Sequence, residues 1–267
     1  MSLSFIDGVA VAQIINTESG DFKTVYVDKD QITEKKINEL LDSGLSVDEV
    51  KSLITQKIRE IETRGDEKVL FVPSKETERV FIAGRSGMGK STIAKNYMIQ
   101  YKEMYPDNEI FLISRHEEDS VYDSVINDLS HIVVNGQLLD YEIELKDLTN
   151  SLVIFDDVDN LQDAKVSKKV HQLVDDLISN GRKYGIYVLY LGHQLSNYSK
   201  TRNIINEANK VFFFPGTSTY HVREFLQKKV GLEKGPIKKI MDLKSRWVCL
   251  NIMMPYNVIH ENGVFII

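Results

Sequence analysis

Residues 84–91 read Gly84-Arg85-Ser86-Gly87-Met88-Gly89-Lys90-Ser91, with the apolar run Val80 to Ala83 before them and the stretch STIAKNYMIQYKEMY after them. Strand, glycine loop and helix in that order match G-x-x-x-x-G-K-[ST] in the context its chemistry requires. Gly84, Gly87 and Gly89 let the backbone wrap closely around an anion, and loop amides with the helix N-terminus then point at it. Lys90 is expected to place its charge on the β- and γ-phosphates of ATP, Ser91 to offer a hydroxyl to Mg2+, and Thr92 to touch the α-phosphate. The sequence 84–92 is therefore the expected nucleotide cradle.

Around this loop the chain alternates short apolar runs with helical stretches: RVFIAG, EIFLIS, HIVVNG, SLVIFDD, YVLYLGHQ and KVFFFP. Runs with few interleaved polar residues fit strands buried on both faces of a mainly parallel sheet, so the fold class is α/β. Lys90 to Tyr105 and Val166 to Lys183 are the expected connecting helices. Leu152-Val153-Ile154-Phe155 followed by Asp156-Asp157 makes a buried strand with carboxylates at its C-terminal tip, where ligands sit in doubly wound sheets. Asp156 is expected to hold Mg2+ and Asp157 to polarise the attacking water. Asp159 reads as a helix-start residue. The strand YVLYLGHQ ends in Gln194, an amide able to touch both γ-phosphate and water, whereas His193 reads as an ordinary loop histidine. A further positive charge on the γ-phosphate often comes from an arginine supplied in trans. Arg182 ranks first for that role, ahead of Arg202 and Arg115.

The residues before Arg79 follow another pattern. FIDGVAVAQII and FKTVYVD flank the turn TESGD as strands. Residues 31–43 read as a helix ended by Gly44. A second helix starts at Ser46, where Ser46 and Glu49 form a capping box, and its stripe runs Val50, Leu53, Ile54, Ile58, Ile61. VLFV is a short strand. Expected domains are a small α+β appendage at 1–78 and a nucleotide-binding domain at 79–267, closed by a C-terminal hairpin from RWVCLNIMMP and NVIHENGVFII.

The 267 residues carry a net charge of -6, which argues against coating nucleic acid with the whole surface. Basic residues nonetheless crowd 223–246: Arg223, Lys228, Lys229, Lys234, Lys238, Lys239, Lys244 and Arg246, against Glu224, Glu233 and Asp242. No apolar run approaches the ~18 residues of a membrane span. The N-terminus lacks the pattern of a signal peptide. Cys249 is the only cysteine, so it reads as a buried small hydrophobe and the compartment as reducing.

Taken in order, GRSGMGKS, SRHEEDS, SLVIFDDVDN, NGRKYGIYVLYLGHQ, NKVFFFP and LKSRWVCL resemble the FtsK–HerA superfamily of DNA translocases, and within it the genome-packaging ATPases of nucleocytoplasmic large DNA viruses. The resemblance runs from about Val80 to the C-terminus. It implies a RecA-like P-loop NTPase core of the ASCE type, with an added strand between the two phosphate-site motifs. It also implies a homo-oligomeric ring, pentamer or hexamer, that drives double-stranded DNA into a capsid without sequence preference. Capsid proteins are then expected partners, with no membrane insertion, and the cytoplasm or a viral factory is the expected location. The wider superfamily has Glu where this chain has Asp157. The alternatives are another FtsK–HerA-type translocase or a P-loop nucleotide kinase. The chain carries no arginine-rich lid of the kinase kind, and the paired Asp156-Asp157 is more than a pure binding module needs.

Overall fold

The computed structural model describes residues 2–27, 34–55, 58–117, 119–195, 198–216 and 219–267. They form two compact units, one of Met1–Ser74 with Met253–Ile267 and one of Lys75–Ile252.

In the first unit, β1 (Leu3–Ser4), β2 (Val9–Asn16), β3 (Phe22–Val27) and β5 (Glu67–Phe71) form an antiparallel sheet in the order β1-β3-β2-β5. The turn between β2 and β3 is the expected one. It closes through Asn16 N–H on the Asp21 carbonyl at 2.8 Å, and the Asn16 side chain accepts from Glu18 and Ser19 N–H. Helix α1 (Glu34–Asp42) occupies the described part of the expected 31–43 helix, whose start lies outside the described residues. Helix α2 (Val47–Thr55) opens with the capping box in place. Glu49 N–H donates to Ser46 Oγ at 3.3 Å and Ser46 N–H to Glu49 Oε2 at 2.8 Å. The expected apolar stripe does not continue as helix: Ile61 lies in β4 (Glu60–Glu62).

The second unit starts at β6 (Arg79–Ala83), followed by α3 (Lys90–Met104), β7 (Ile110–Ser114), β8 (Ser130–Val133), β9 (Leu152–Asp156), α4 (Ala164–Asn180), β10 (Tyr187–Gly192), α5 (Tyr198–Glu207), β11 (Lys210–Phe213), α6 (Thr219–Glu224), α7 (Lys234–Met241) and β12 (Val248–Asn251). Its sheet runs β12-β11-β6-β10-β9-β7-β8. All these pairs are parallel except β11 with β12. Every residue of β9, β10 and β11 is buried, as expected of strands covered on both faces. Helix α4 turns Val166, Val170, Val174, Leu177 and Ile178 to the core. Each such side chain contributes about 1.5–3 kcal/mol on burial. Its N-cap is Asp163, whose carboxylate accepts from Lys165 and Val166 N–H at 2.8 and 3.1 Å. A buried ion pair, Lys210 Nζ to Glu78 Oε1 at 2.6 Å, is completed by Tyr97 OH donating to Glu78 Oε2 at 2.7 Å. It ties the residue before β6 and the first residue of β11 to α3. Removing one partner would cost about 3–5 kcal/mol. Cys249 is buried in β12, and burial pushes its thiol up to about 12.

The last strands, β13 (Asn257–His260) and β14 (Gly263–Ile266), form a hairpin with Asn257 opposite Ile266 and His260 opposite Gly263, but it lies wholly within NVIHENGVFII, whereas the strand of RWVCLNIMMP is β12, which pairs with β11. The hairpin groups with the N-terminal unit instead of the nucleotide-binding one, because β14 pairs antiparallel with β4. Among the described residues no helix is long and apolar enough to cross a membrane.

Candidate nucleotide site

The loop after β6 is tied to its neighbour strand at once: Gly84 N–H donates to the Gly192 carbonyl at 3.0 Å. A Cβ on Gly84 would lie 2.5 Å from Phe214 Cδ2, so the ring after β11 leaves space for glycine alone. Gly87 and Gly89 have φ of 76° and 102°, left-handed values that turn the loop back and cap α3. Lys90 is buried at the start of α3 and Ser91 follows half-buried, while Arg85, Ser86, Gly87 and Thr92 are exposed and Met88 is half-buried. Strand, loop and helix thus stand as expected.

Asp156 ends β9 and is only 6% exposed. Its Oδ2 accepts from Tyr122 OH at 2.8 Å and from Ser91 Oγ at 3.2 Å. Burial raises its carboxyl above the usual range. The Tyr122 hydrogen bond works against that rise, the charge on Asp157 adds to it, and Ser91 and Lys90 oppose it. Burial also pushes the Tyr122 phenol well up, followed by the charge of Asp156, so this hydroxyl stays a donor. The Ser91–Asp156 contact brings a hydroxyl and a carboxylate together beside Lys90, the hard oxygen set that suits magnesium with nucleotide oxygens and water. Tyr122 lies in the 3-10 turn Ser120–Asp128 between β7 and β8. No motif in the sequence marks it.

Asp157 follows with φ 53°, one of two non-glycine residues at positive φ among those described. That backbone is sparsely populated for any L-residue and clusters at functional sites. Its two carboxylate oxygens face two imidazoles. His116 Nε2 is 3.5 Å from Oδ2 and His193 Nε2 is 3.5 Å from Oδ1. Neither Asp157 nor Asp159 starts a helix, since α4 begins at Ala164 behind Asp163. Asp159 is instead buried against β10: its carboxylate accepts from Tyr190 OH and from His193 N–H, the latter at 2.9 Å. Strand β10 does lie beside β9, with Leu191 opposite Asp156. It also lies beside β6, so the loop strand and the acid strand are separated by one strand that touches both. Gln194 sits two residues past the end of β10 and is exposed. His193, read from sequence as an ordinary loop residue, directly follows β10 and is the side chain there that reaches Asp157.

Arg182 is exposed in the turn Gly181–Tyr184, which leads into β10 at the end of the sheet away from the loop. A six-residue strand at about 3.3 Å per residue puts it on the order of 20 Å from the phosphate loop of its own chain. Arg115 and Arg202 are also exposed, in the segment after β7 and on α5. All eight basic residues between Arg223 and Arg246 are exposed. Lys228 pairs with Glu224 at 2.8 Å and Lys238 with Asp242 at 2.6 Å, each one helical turn away. Lys168 is exposed on α4, whereas Lys169 donates to the carbonyls of Leu139 and Tyr141 and so anchors a neighbouring turn.

Strand order, glycine loop and acids at the tip of β9 define a mixed α/β protein with a mostly parallel central sheet, the RecA-like P-loop NTPase architecture. No protein-family model matches the chain. It is 34% identical over 188 residues, 70% of this chain and 76% of the other, to uncharacterized protein V3 of Sputnik virophage. The chain belongs to the same family as that virophage protein. Among solved structures it is similar to the conjugation coupling protein TcpA of pCW3 with ATPγS, at 12% identity and TM-score 0.51, covering 95% of this chain and 77% of that one. The genome packaging NTPase B204 of Sulfolobus turreted icosahedral virus 2 with ATPγS is matched at 13% identity and TM-score 0.48, covering 69% of this chain and 96% of that one.

Proposed function

We propose that the chain is an ATP hydrolase that drives translocation of double-stranded DNA, packaging a viral genome into a capsid. One observation carries the reading: Lys90, Ser91, Asp156 and Asp157 converge at one end of a RecA-like sheet, while Arg182 stands at the other end. Such a site is half complete in one chain and completed by the next chain of a ring, pentamer or hexamer. Membership in a virophage protein family and the ordered motifs of the FtsK–HerA packaging ATPases support the viral assignment.

In this reading Gly84 to Thr92 wrap the triphosphate, and Lys90 neutralises β- and γ-phosphate charge. Ser91 and Asp156 hold magnesium, which when bound supplies further neutralisation of the phosphate oxygens. Asp157 accepts the proton of the attacking water, Gln194 senses the γ-phosphate, and Arg182 reaches the site of a neighbouring subunit. The nucleotide-binding residues lie within the region expected as the ATPase domain. The motor works in the cytoplasm or in a viral factory. Phosphate release from ATP, measured with and without plasmid-length duplex DNA, tests the reading. Duplex DNA should raise turnover several-fold and Lys90→Ala should abolish it. No hydrolysis by the wild type under either condition would remove the proposal.

A further inference from the structure

The tips of three neighbouring strands meet around Asp157. In the order β10-β9-β7, Asp156 is level with Leu191 on one side and Ser114 on the other. One or two residues further on, each chain delivers a side chain to the same place: Asp157 from β9, His193 from β10 and His116 from β7. The left-handed backbone of Asp157 sets its carboxylate so that Oδ1 faces His193 Nε2 and Oδ2 faces His116 Nε2, both at 3.5 Å. Each histidine is held by a second contact, His193 through its ring and backbone and His116 through its backbone. His193 is held through its backbone N–H by Asp159, at 2.9 Å, and its Nδ1 lies buried 3.5 Å from the same Asp159 oxygen. Asp159 is in turn fixed by Tyr190 OH. The His116 turn is held by Ser114 Oγ, which donates to the His116 carbonyl at 2.9 Å. Among the described residues no group of three or more His, Cys, Asp or Glu side chains is arranged to hold a metal ion, so the histidines are not read as ligands.

We propose that His116 and His193 are positioning residues that clasp the Asp157 carboxylate from both sides and set the direction of the oxygen that takes the proton from water. The proposal rests on the reading of this site as a nucleotide hydrolase and names the groups that aim its base. A carboxylate on a short side chain has two torsions with which to miss the water, and donors on either side remove that freedom. Spacings of 3.5 Å are longer than a strong hydrogen bond, and catalytic contacts of this kind tighten when substrate closes the site. Asp157, His193 and His116 are 34%, 32% and 52% exposed, so the clasp is open to solvent instead of being sealed in the core. Asp159 and Tyr190 act one step behind, keeping His193 in place.

The test is steady-state hydrolysis by full-length His116→Ala, His193→Ala and their Gln counterparts, alongside binding of ATPγS and thermal unfolding of each. His193→Ala should lower kcat by about 10–100-fold, the scale on which loss of a partner that orients a metal ligand lowers activity at metal sites. The Kd for ATPγS should stay within about twofold. His116→Ala should lower kcat less, because its ring is the more exposed. Gln restores a donor near the Nε2 position and should recover much of the rate. In single-turnover assays His193→Ala combined with Asp157→Asn should be no slower than Asp157→Asn alone, since a residue acting through Asp157 has nothing left to act on. Unchanged kcat in both alanine variants, no recovery with Gln, or losses that multiply in the double variant would each overturn the clasp. A wild type that hydrolyses ATP normally beside such results would leave the hydrolase reading standing without it.

Discussion

Tyr122→Phe removes one oxygen from a buried site and leaves the ring in place. Tyr122 is 3% exposed and donates at 2.8 Å to Asp156 Oδ2, which is itself 6% exposed. A hydrogen bond to a charged group is worth about 1.5–3 kcal/mol, and solvent cannot reach this site to replace it. For a unit of this size about 1 kcal/mol moves Tm by roughly 2–4 °C, so the variant should melt roughly 3–12 °C lower at neutral pH. The loss should depend on pH. Asp156 has a folded-state value above its unfolded one, chiefly through burial. Ionising it therefore costs stability as pH rises through the folded value, and that cost is absent below the ordinary carboxylate range. Tyr122 offsets part of the cost. Its removal should accordingly weigh more at pH 8 than at a pH below the ordinary carboxylate range, read from nucleotide-free, magnesium-free melting curves of both proteins. An equal loss at both pH values would mean that Phe merely packs worse, and no loss would mean that the hydroxyl does not support the ionised acid.

Three further outcomes follow from the geometry. Gly84→Ala should destabilise by about 1–3 kcal/mol in chemical unfolding, because its Cβ would overlap the Phe214 ring, and adding Phe214→Leu should recover part of it; a neutral Gly84→Ala would refute the contact. Lys90→Ala and Arg182→Ala subunits, each inactive alone, should regain hydrolysis when mixed, since one interface then pairs an intact loop with an intact arginine; absence of rescue would place Arg182 outside the trans role. Lys238→Glu with Lys239→Glu should reduce DNA-stimulated hydrolysis more than basal hydrolysis and flatten the salt dependence of DNA binding, because sequence-independent contacts go to the phosphate backbone; equal effects on both rates would remove these lysines from the DNA path.

The parts of this molecule that are legible in its sequence are local. The loop from Gly84 to Ser91, the Ser46–Glu49 capping box and the run into Asp156 each depend on residues a few positions apart. What escaped reading is set by pairing across the chain. The helical period carried on through Ile58 and Ile61, yet Ile61 pairs with Val264 on β14, a partner that no local pattern names. His116 and His193 meet Asp157 only because β7 and β10 flank β9, which strand-by-strand reading does not reveal. Asp159 looked like a helix start because it follows a strand and precedes a helix, but Asp163 caps α4 and frees Asp159 to hold the tip of β10. Tyr122 is the extreme case, a single aromatic in a 3-10 turn whose importance lies entirely in where its hydroxyl ends up.

Movement along duplex DNA powered by ATP can be read in a triplex-displacement assay. A labelled third strand is annealed to one end of a linear duplex, and its release is followed after adding the assembled protein and nucleotide. With ATP the wild type should strip the third strand from duplexes of unrelated sequence, while ATPγS, Lys90→Ala and Asp157→Asn should leave it bound. Hydrolysis of ATP on the same duplex without any strand release would contradict the account, leaving an ATPase that binds DNA and does not travel along it.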